Sequence, residues 1–148
     1  MANGKVLSLY MTTPDLMRSG YRQQVEDFEC DTNGIIGDKS YESEAPLILL
    51  VSKKSYDIIE EAELVLDKGV LMENIYVDVD LYHLKPGSII EIGDVLFEVT
   101  GPCETYGYLF GFAPELPELI AGKRGLFVKP LEFGSINVGD EVTVEKEA

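Results

Sequence analysis

Residues 69–103 read GVLMENIYVDVDLYHLKPGSIIEIGDVLFEVTGPC, and this stretch decides the fold. An extended run at 75–79 is followed by a turn at 85–87 and then by a tight hairpin through the Gly-Asp pair at 93–94. The hairpin is predicted because glycine tolerates positive φ and aspartate can hydrogen-bond its own local backbone. A rigid Gly-Pro turn follows, so Cys103 is predicted to lie just beyond the end of a strand pair.

Short extended segments with Gly-Asp turns dominate the chain. Strands are predicted at residues 5–11, 47–51, 74–79, 88–92, 95–100, 126–128, 135–138 and 141–144, and helices at 53–66 and 115–121. Residues 15–31 are polar and weakly patterned, which favours a mobile excursion without a predicted strand. The pattern predicts a mainly β fold, a partly closed antiparallel β-barrel with a few short helices, in a single domain over residues 1–148.

Two local signals refine this prediction. The helix at 53–66 carries an apolar stripe, and Ser52 or Ser55 is placed to cap its start, with a Lys-Gly pair to close it at 68–69. A Gly-Ser-Ile stretch leads to Gly-Asp at 93–94, and the same stretch recurs before Gly-Asp at 139–140. The recurrence predicts a second hairpin.

Composition excludes several functions. The formal net charge is −15, from 27 acidic and 12 basic residues. Such a surface repels nucleic-acid phosphates and anionic membranes, so neither is an expected partner. Two cysteines and one histidine offer no Cys-x-x-Cys pair and no conventional zinc site. The first residues do not resemble a signal peptide and no apolar run could span a membrane, so a cytoplasmic protein with reduced thiols is expected.

Several short blocks occur in a characteristic order along the chain. They are GIIGD at 34–38, LMENI at 71–75, L-x-PG at 84–87, IG at 92–93, GPC at 101–103, GKRGLF at 122–127 and GSINVGD at 134–140. The combination of Glu-Asn-Ile, Gly-Pro-Cys and Gly-Lys-Arg-Gly is more specific than any block alone. Together the blocks resemble the molybdenum cofactor sulfurase C-terminal (MOSC) domain family in its small stand-alone bacterial form.

The resemblance implies a barrel of the pyruvate-kinase β-barrel type and a pterin-based molybdenum cofactor. Cys103 would then be the catalytic sulfur carrier or a ligand to molybdenum. A cysteine desulfurase or a molybdoenzyme would be a possible protein partner, and pyridoxal phosphate is not expected on this chain. Some members of the family act as small reductases, so a sulfurtransferase-like or molybdenum-dependent reductase activity is implied as one option.

The candidate sulfur has two interpretations. A thiolate can carry sulfane sulfur as a persulfide or bind molybdenum as a soft ligand, and a helix beginning just after Cys103 would lower its pKa. Glu104 acts in the opposite direction, because a neighbouring negative charge disfavours a thiolate. The alternative is a buried cysteine that packs as a small hydrophobe. Cys30 lies in no motif and is interpreted as incidental.

The cations of the GKRG block are candidate cofactor ligands. Lys123 and Arg124 lie between two glycines, where backbone N–H groups can approach an anion and an arginine can bind phosphate with two hydrogen bonds. The alternative is a helix C-terminus that carries basic residues, which the helix dipole favours.

Four further polar residues belong to the predicted site. Glu73 and Asn74 precede a strand, where asparagine could bond a pterin edge, although holding the turn is the commoner role. Asp38 and Lys39 are expected to be turn residues, or rim residues of a cofactor pocket if the family resemblance holds. His83 is expected at the surface or a strand end.

An aromatic run alternates at period two, which predicts one face of an extended segment formed by Tyr106, Tyr108, Phe110 and Phe112. Such a face could stack a flat heterocycle, pack in the core, or pair with itself in a homodimer.

Two functions of different classes follow. The first is a protein that binds a molybdenum–pterin compound and uses Cys103 on it. The second is a non-catalytic binding or adaptor barrel that has lost this chemistry. The second draws on two departures from the family pattern: Ser40 stands where a histidine is frequent, and Ala-Pro at 45–46 stands where Arg-Gln is frequent.

Overall fold

The computed structural model describes residues 3–12, 22–42, 48–104, 109 and 111–148. Within these residues, strands dominate and two short helices interrupt them. The elements in chain order are β1 (Asn3–Met11), β2 (Gln23–Val25), β3 (Asp27–Asp31), β4 (Gly34–Ile35), β5 (Ile48–Ser52), α1 (Lys53–Glu61), β6 (Ile75–Val77), β7 (Ile89–Ile92), β8 (Val95–Pro102), α2 (Leu116–Leu119), β9 (Leu126–Pro130), β10 (Gly134–Asn137) and β11 (Glu141–Lys146).

Seven of these strands form a closed ring. The strand order is β1, β11, β7, β8, β9, β5 and β6, and β6 pairs with β1 to complete the barrel. Among the described pairings, only β5 with β6 is parallel, and α1 lies in the connection between them. The predicted mainly β barrel with short helices is confirmed, and the structure adds that the ring closes and contains this parallel pair.

Four further short strands of the described residues lie outside the ring. β2 adds to β1 outside the ring, and β10, β3 and β4 form a separate three-stranded antiparallel sheet. No strand is predicted within residues 15–31, and this is wrong where the chain is described, from Arg22 onward, because β2 and β3 form there. Phe28 and Cys30 alternate into the core at 5% and 0% exposure, and burying them stabilises β3 despite its acidic neighbours.

The first helix is shorter than the predicted range of 53–66. α1 begins at Lys53 as expected, but it ends at Glu61, and Glu63 adopts a positive φ of 62°. Positive φ ends the helix there, ahead of the predicted Lys-Gly stop. Ser52 occupies the N-cap position without a capping hydrogen bond, because its hydroxyl accepts the backbone N–H of Leu81 instead.

One of the two predicted hairpins is present. β7 and β8 pair across the turn at 93–94 in register Ile92 with Val95, as expected. The stretch at 139–140 does make a turn, in which the Asp140 N–H bonds the Asn137 carbonyl. The strands on its two sides then separate, since β10 pairs with β3 whereas β11 pairs with β7 and β1, so the second hairpin is wrong.

Two apolar layers result from strand alternation. In β5, Ile48 and Leu50 point into the barrel, while Leu49 and Val51 point outward towards the helices. The outward layer, called here the outer layer, packs wall residues against both helices. It contains Tyr10, Leu49, Val51, Tyr56, Ile59, Leu71, Tyr76, Cys103, Leu109, Ala113, Leu116 and Ile120.

Some predictions fall outside the described residues. These are the Ala-Pro departure at 45–46 and the first three aromatics of the alternating run, at 106, 108 and 110. From Leu109 on, the predicted extended segment is wrong. Phe112 and Ala113 both donate their N–H to the Leu109 carbonyl, which makes a tight turn, and Phe112 is 45% exposed.

Candidate functional site

The candidate sulfur lies where β8 ends. Pro102 still pairs with Leu126 of β9, and the Cys103 N–H donates to the Gly125 carbonyl at 2.9 Å, which extends the ladder by one residue. Phe97 and Val99 face the barrel core, but the pairing of β8 with β9 shifts register between Val99 and Gly101. This irregularity adds one residue to β8, so Cys103 faces the outer layer, where it is 5% exposed. Cys103 is thus fixed by the same strand pair that brings in the loop at 122–125.

The charges around this thiol oppose one another. Burial raises the pKa of Cys103, the nearby Arg124 guanidinium lowers it, and Glu104 raises it. The net direction is upward, so the thiol is protonated more readily than an exposed cysteine. Its Sγ lies 3.5 Å from the Glu104 carbonyl oxygen, to which the S–H donates. The effect predicted for Glu104 has the expected sign.

Arg124 is the buried cation of the site, with 2% exposure. Its loop passes so close to β5 that a Cβ on Gly125 would lie 2.7 Å from Leu49 Cδ1 and 3.2 Å from the Leu50 carbonyl oxygen. Only glycine allows this approach, which lets the loop seat Arg124 beside the outer layer. The Arg124 charge acts on the pKa of Cys103 and also on that of Glu73.

Lys123 goes elsewhere. Its Nζ lies 3.7 Å from Asp80 Oδ2 and 5.7 Å from the centroid of the Tyr82 ring. The structure therefore separates the two cations that the sequence places side by side. Arg124 is buried and precedes the Gly125 carbonyl that bonds Cys103, whereas Lys123 is partly exposed beside the 80–82 loop.

Glu73 is a fully buried carboxyl group of the outer layer. Tyr56 Oη donates to Glu73 Oε2 at 2.7 Å, and the Gly69 N–H in turn donates to Tyr56 Oη at 3.1 Å. Oε1 is buried with no hydrogen-bond partner of good geometry among the described residues. Burial raises the pKa of Glu73, while the Tyr56 bond, backbone N–H groups at residues 69 and 73, and Arg124 lower it.

Asn74 ties two strands together. Its Oδ1 accepts the Leu49 N–H at 3.0 Å, and its Nδ2 donates to the Tyr10 carbonyl at 3.1 Å. Both polar atoms of the amide are thus bonded to the backbones of β5 and β1. The role is structural, but it joins two strands and not the turn anticipated for it, and a contact with a pterin stays a prediction.

Asp38 anchors a turn at the end of β1. Its Oδ1 accepts the Thr12 N–H at 2.7 Å, its Oδ2 accepts the Ser40 hydroxyl at 2.7 Å, and Arg22 Nη1 lies 3.7 Å from Oδ1. Ser40, which replaces the frequent family histidine, therefore bonds this carboxylate. The Lys39 side chain is exposed, and its backbone N–H donates to the Thr12 carbonyl. A place for Asp38 and Lys39 at a pocket rim stays a prediction.

The remaining candidates lie away from the sulfur. His83 is at the surface, where its Nε2 lies 2.9 Å from Glu147 Oε1. Cys30 is fully buried in the barrel core, and burial together with Asp31 raises its pKa to about 12. A cavity of about 300 Å³ opens at the β1–β11 seam, lined by Asn3, Gly4, Lys5, Asp78, Glu141 and Thr143. Cys103 is not among its lining residues.

Sequence reasoning missed the aromatic and hydroxyl groups around this site. Tyr10, Tyr56 and Tyr76 surround Glu73, whose charge contributes to raising the phenol pKa of each. Tyr56 and Tyr76 meet edge to face with ring centroids 5.3 Å apart. One signal was available, since Tyr56 lies one turn before Ile59 on the apolar stripe of α1, and a buried tyrosine needs a partner for its hydroxyl.

Among the described residues, no group of three or more histidine, cysteine, aspartate or glutamate side chains is arranged to hold a metal ion. No helix in the described ranges is long and apolar enough to cross a membrane.

Comparison with known proteins gives one family and several similar structures. The MOSC domain model matches residues 37–143. The YuaD protein from Bacillus subtilis is similar with a TM-score of 0.76 at 21% identity, over 95% of this chain and 94% of that one. YiiM from Geobacillus stearothermophilus has a TM-score of 0.71 at 19% identity, over 95% and 74%. YiiM from Escherichia coli has a TM-score of 0.68 at 18% identity, over 100% and 72%. No curated protein matches the sequence.

Proposed function

This chain belongs to the MOSC domain family, and on that premise we propose that it binds a molybdenum–pterin cofactor in the outer layer, with Cys103 as the sulfur ligand of the metal. The family is associated with binding of the molybdenum cofactor. One observation supports the proposal for this chain: the β8–β9 ladder bonds the Cys103 N–H to the carbonyl of Gly125, the residue after the buried Arg124.

The donor chemistry at this position fits the group. A thiolate is a soft ligand that suits molybdenum, and one protein sulfur suffices when the cofactor brings its own ligands. Arg124 would neutralise an anionic part of the cofactor, such as its phosphate, and would favour the thiolate form of Cys103. The buried Oε1 of Glu73 offers one further hydrogen-bonding atom for a polar edge. When bound, the cofactor would supply two-electron redox chemistry at molybdenum.

The protonation state of the thiol favours ligation over free sulfur transport. Burial keeps Cys103 protonated, and a protonated thiol is a poor nucleophile for accepting sulfane sulfur. As a metal ligand, Cys103 would give up its thiol proton, and the charge of the metal would offset the solvation that burial removes. Cys103 would hold the metal, and Arg124 would balance charge beside it.

The test is the cofactor content of the protein. Purified from cells replete with molybdenum cofactor, the wild-type protein should carry molybdenum, measured by mass spectrometry, and release a fluorescent oxidised pterin. Cys103→Ala should lose at least about tenfold in bound molybdenum, since a lost ligand costs more than about 1.4 kcal/mol. Cys30→Ala is the matched control, because it also removes a buried thiol but lies in the barrel core, and it should retain the metal.

The outcomes separate the options for this site. Wild-type protein with neither molybdenum nor pterin would contradict the proposal. A persulfide on Cys103 without metal would replace ligation by sulfur transport. Equal metal in wild type and Cys103→Ala would remove the thiol from the site.

A non-catalytic binding barrel is the second candidate, and a specific observation favours it. The polar atoms of Asn74 and Asp38, two predicted cofactor contacts, are bonded to the protein's own backbone and to Ser40. Such a barrel would recognise a basic partner through its net charge of −15. Full biological activity of Cys103→Ser would support this function over cofactor binding.

A further inference from the structure

The loop that carries Arg124 is held by a chain of hydrogen bonds that begins on another part of the barrel. The Ser52 N–H donates to Tyr82 Oη at 2.8 Å, and Tyr82 Oη lies 2.5 Å from Ser55 Oγ. Ser55 Oγ in turn bonds the carbonyl oxygen of Lys123, the residue before Arg124. Four elements thus meet here: the end of β5, the first turn of α1, the 80–82 loop and the 122–125 loop.

The direction of this chain is fixed by its two ends. The Lys123 carbonyl can only accept a hydrogen bond, so Ser55 donates its one O–H proton to it. Ser55 Oγ must then accept from Tyr82, and Tyr82 Oη in turn accepts from the Ser52 N–H. Every hydroxyl both donates and accepts, an arrangement in which neighbouring hydrogen bonds polarise and strengthen one another.

Burial makes the chain stiff. Ser55 is 0% exposed, and burial raises the pKa of Tyr82 to about 12, so its hydroxyl stays protonated and able to donate. On its far side, the loop is bonded to the sulfur strand, through the Gly125 carbonyl and the Cys103 N–H. Residues 123–125 are therefore clamped between the Ser55 hydroxyl and the backbone of Cys103, with the Arg124 side chain projecting from the middle.

We propose that Ser55 and Tyr82 are positioning residues that hold the 122–125 loop so that the Arg124 guanidinium stays beside the Cys103 thiol. This inference rests on the proposed function, in which that pairing prepares the site for an anionic cofactor. Neither hydroxyl need touch the cofactor, because both act through the loop. Removing the Ser55 hydroxyl would delete the hydrogen bonds that it makes to the Lys123 carbonyl and to the Tyr82 hydroxyl. The loop would then lose its attachment to α1.

The test measures the local potential at the thiol in protein free of metal and pterin. Cys103 is alkylated with iodoacetate, which is anionic, and with iodoacetamide, which is neutral, at one pH, and the modified residue is located by mass spectrometry. Both reagents attack the same thiolate. The ratio of the iodoacetate rate to the iodoacetamide rate therefore reports the charge beside the sulfur and is insensitive to exposure of the thiol. A neighbouring unit charge changes such a ratio about fivefold.

Arg124→Gln should lower the ratio about fivefold, and Ser55→Ala should lower it in the same direction by at least about twofold. The double variant should fall no lower than Arg124→Gln alone, because both changes remove the same charge from the sulfur. Ser55→Thr keeps the hydroxyl and should restore the ratio. Lys129→Gln is the charge control, since Lys129 Nζ lies 3.8 Å from Glu98 on the outside of the β8–β9 pair, and it should leave the ratio unchanged.

Tyr82→Phe is the second test, because it keeps the ring and deletes one hydroxyl. It should shift the ratio in the direction of Ser55→Ala, and Tyr41→Phe is its matched control. The inference is overturned if Ser55→Ala or Tyr82→Phe speeds both reagents equally, which is the signature of general loosening. It is also overturned if Ser55→Ala lowers the ratio equally with and without Arg124. Since no cofactor is present, failure to bind molybdenum would leave these ratios unaffected.

Discussion

The two cysteines lie in two layers of contrasting chemistry. Cys30 sits in the barrel core, among aliphatic and aromatic side chains such as Phe97 and Ile90. Cys103 sits in the outer layer, where Glu73 and Arg124 are also buried. Burying a charge costs free energy unless it is paired or bonded, whereas burying hydrocarbon is favourable. The core therefore supplies stability, and the outer layer gives up some stability to hold reactive groups.

The largest effect is expected in the core. Phe97 is fully buried between β7 and β9, with register partners Ile90 and Pro130. Phe97→Ala should lower the free energy of unfolding by about 3–5 kcal/mol through lost burial and a cavity. Urea denaturation measures this loss. Phe133→Ala, at a side chain 65% exposed, is the control and should cost under about 1 kcal/mol. Equal losses for Phe97→Ala and Phe133→Ala would contradict the assignment of stability to the barrel core.

A smaller effect is expected in the outer layer. Tyr56→Phe deletes the hydroxyl that bonds Glu73 and accepts the Gly69 N–H. The ring and its packing remain, so only the polar contribution is lost, about 1–3 kcal/mol in the free energy of unfolding. Tyr41→Phe is matched to it, because the Tyr41 hydroxyl also bonds a carboxylate, Asp31, but lies nearer the surface. Its cost should stay below about 1 kcal/mol, and a larger cost than that of Tyr56→Phe would contradict the role given to the buried pair.

The smallest expected effect is a dependence on pH. Burial raises the pKa of Glu73 above its ordinary value of 4.5. Below pH 4.5 the carboxyl is protonated in both the folded and unfolded states. Above it, the unfolded chain ionises first, so the folded state loses stability as the pH rises towards the raised pKa. Glu73→Gln removes this loss.

Measured from pH 4 upward, the unfolding free energy of the wild type should therefore fall relative to that of Glu73→Gln. A difference that stays flat with pH, or that rises, would mean that Glu73 is not held in its protonated form by burial. Glu104→Gln serves as the control, because Glu104 is exposed.

Much of the barrel could be predicted from the sequence because turn residues mark the ends of its strands. Gly-Asp turns and alternating or continuous apolar runs delimit β5 and the strands from β7 on. The misses share a physical cause. β3 looks polar because only Phe28 and Cys30 face inward, and the early end of α1 depends on packing of the following loop rather than on a Gly or Pro signal. Pairing of β1 with β11, which closes the ring, leaves no local mark in the sequence at all.

The site was only partly predictable. Cys103 and Arg124 stand in recognisable blocks, and the structure brings them together through the Gly125 carbonyl. Sequence spacing does not encode that Arg124 is buried whereas its neighbour Lys123 is partly exposed beside Asp80. The roles of Ser55 and Tyr82 could not be predicted, because their hydrogen-bond partners lie far along the chain. A serine near the start of a helix predicts an N-cap, not a hydrogen bond to a distant loop.

The seam between β1 and β11 has a consequence for how the molecule is made. Asn3 pairs with Thr143, so the ring stays open while the ribosome is still adding the last strand. Until then β1 and β7 each expose an unpaired edge, which can recruit a strand from another chain. Such long-range closure is slow, because the loop entropy must be lost before the final contacts form. Slowed translation over residues 134–146 is therefore expected to increase aggregation of nascent protein without changing the stability of the finished barrel.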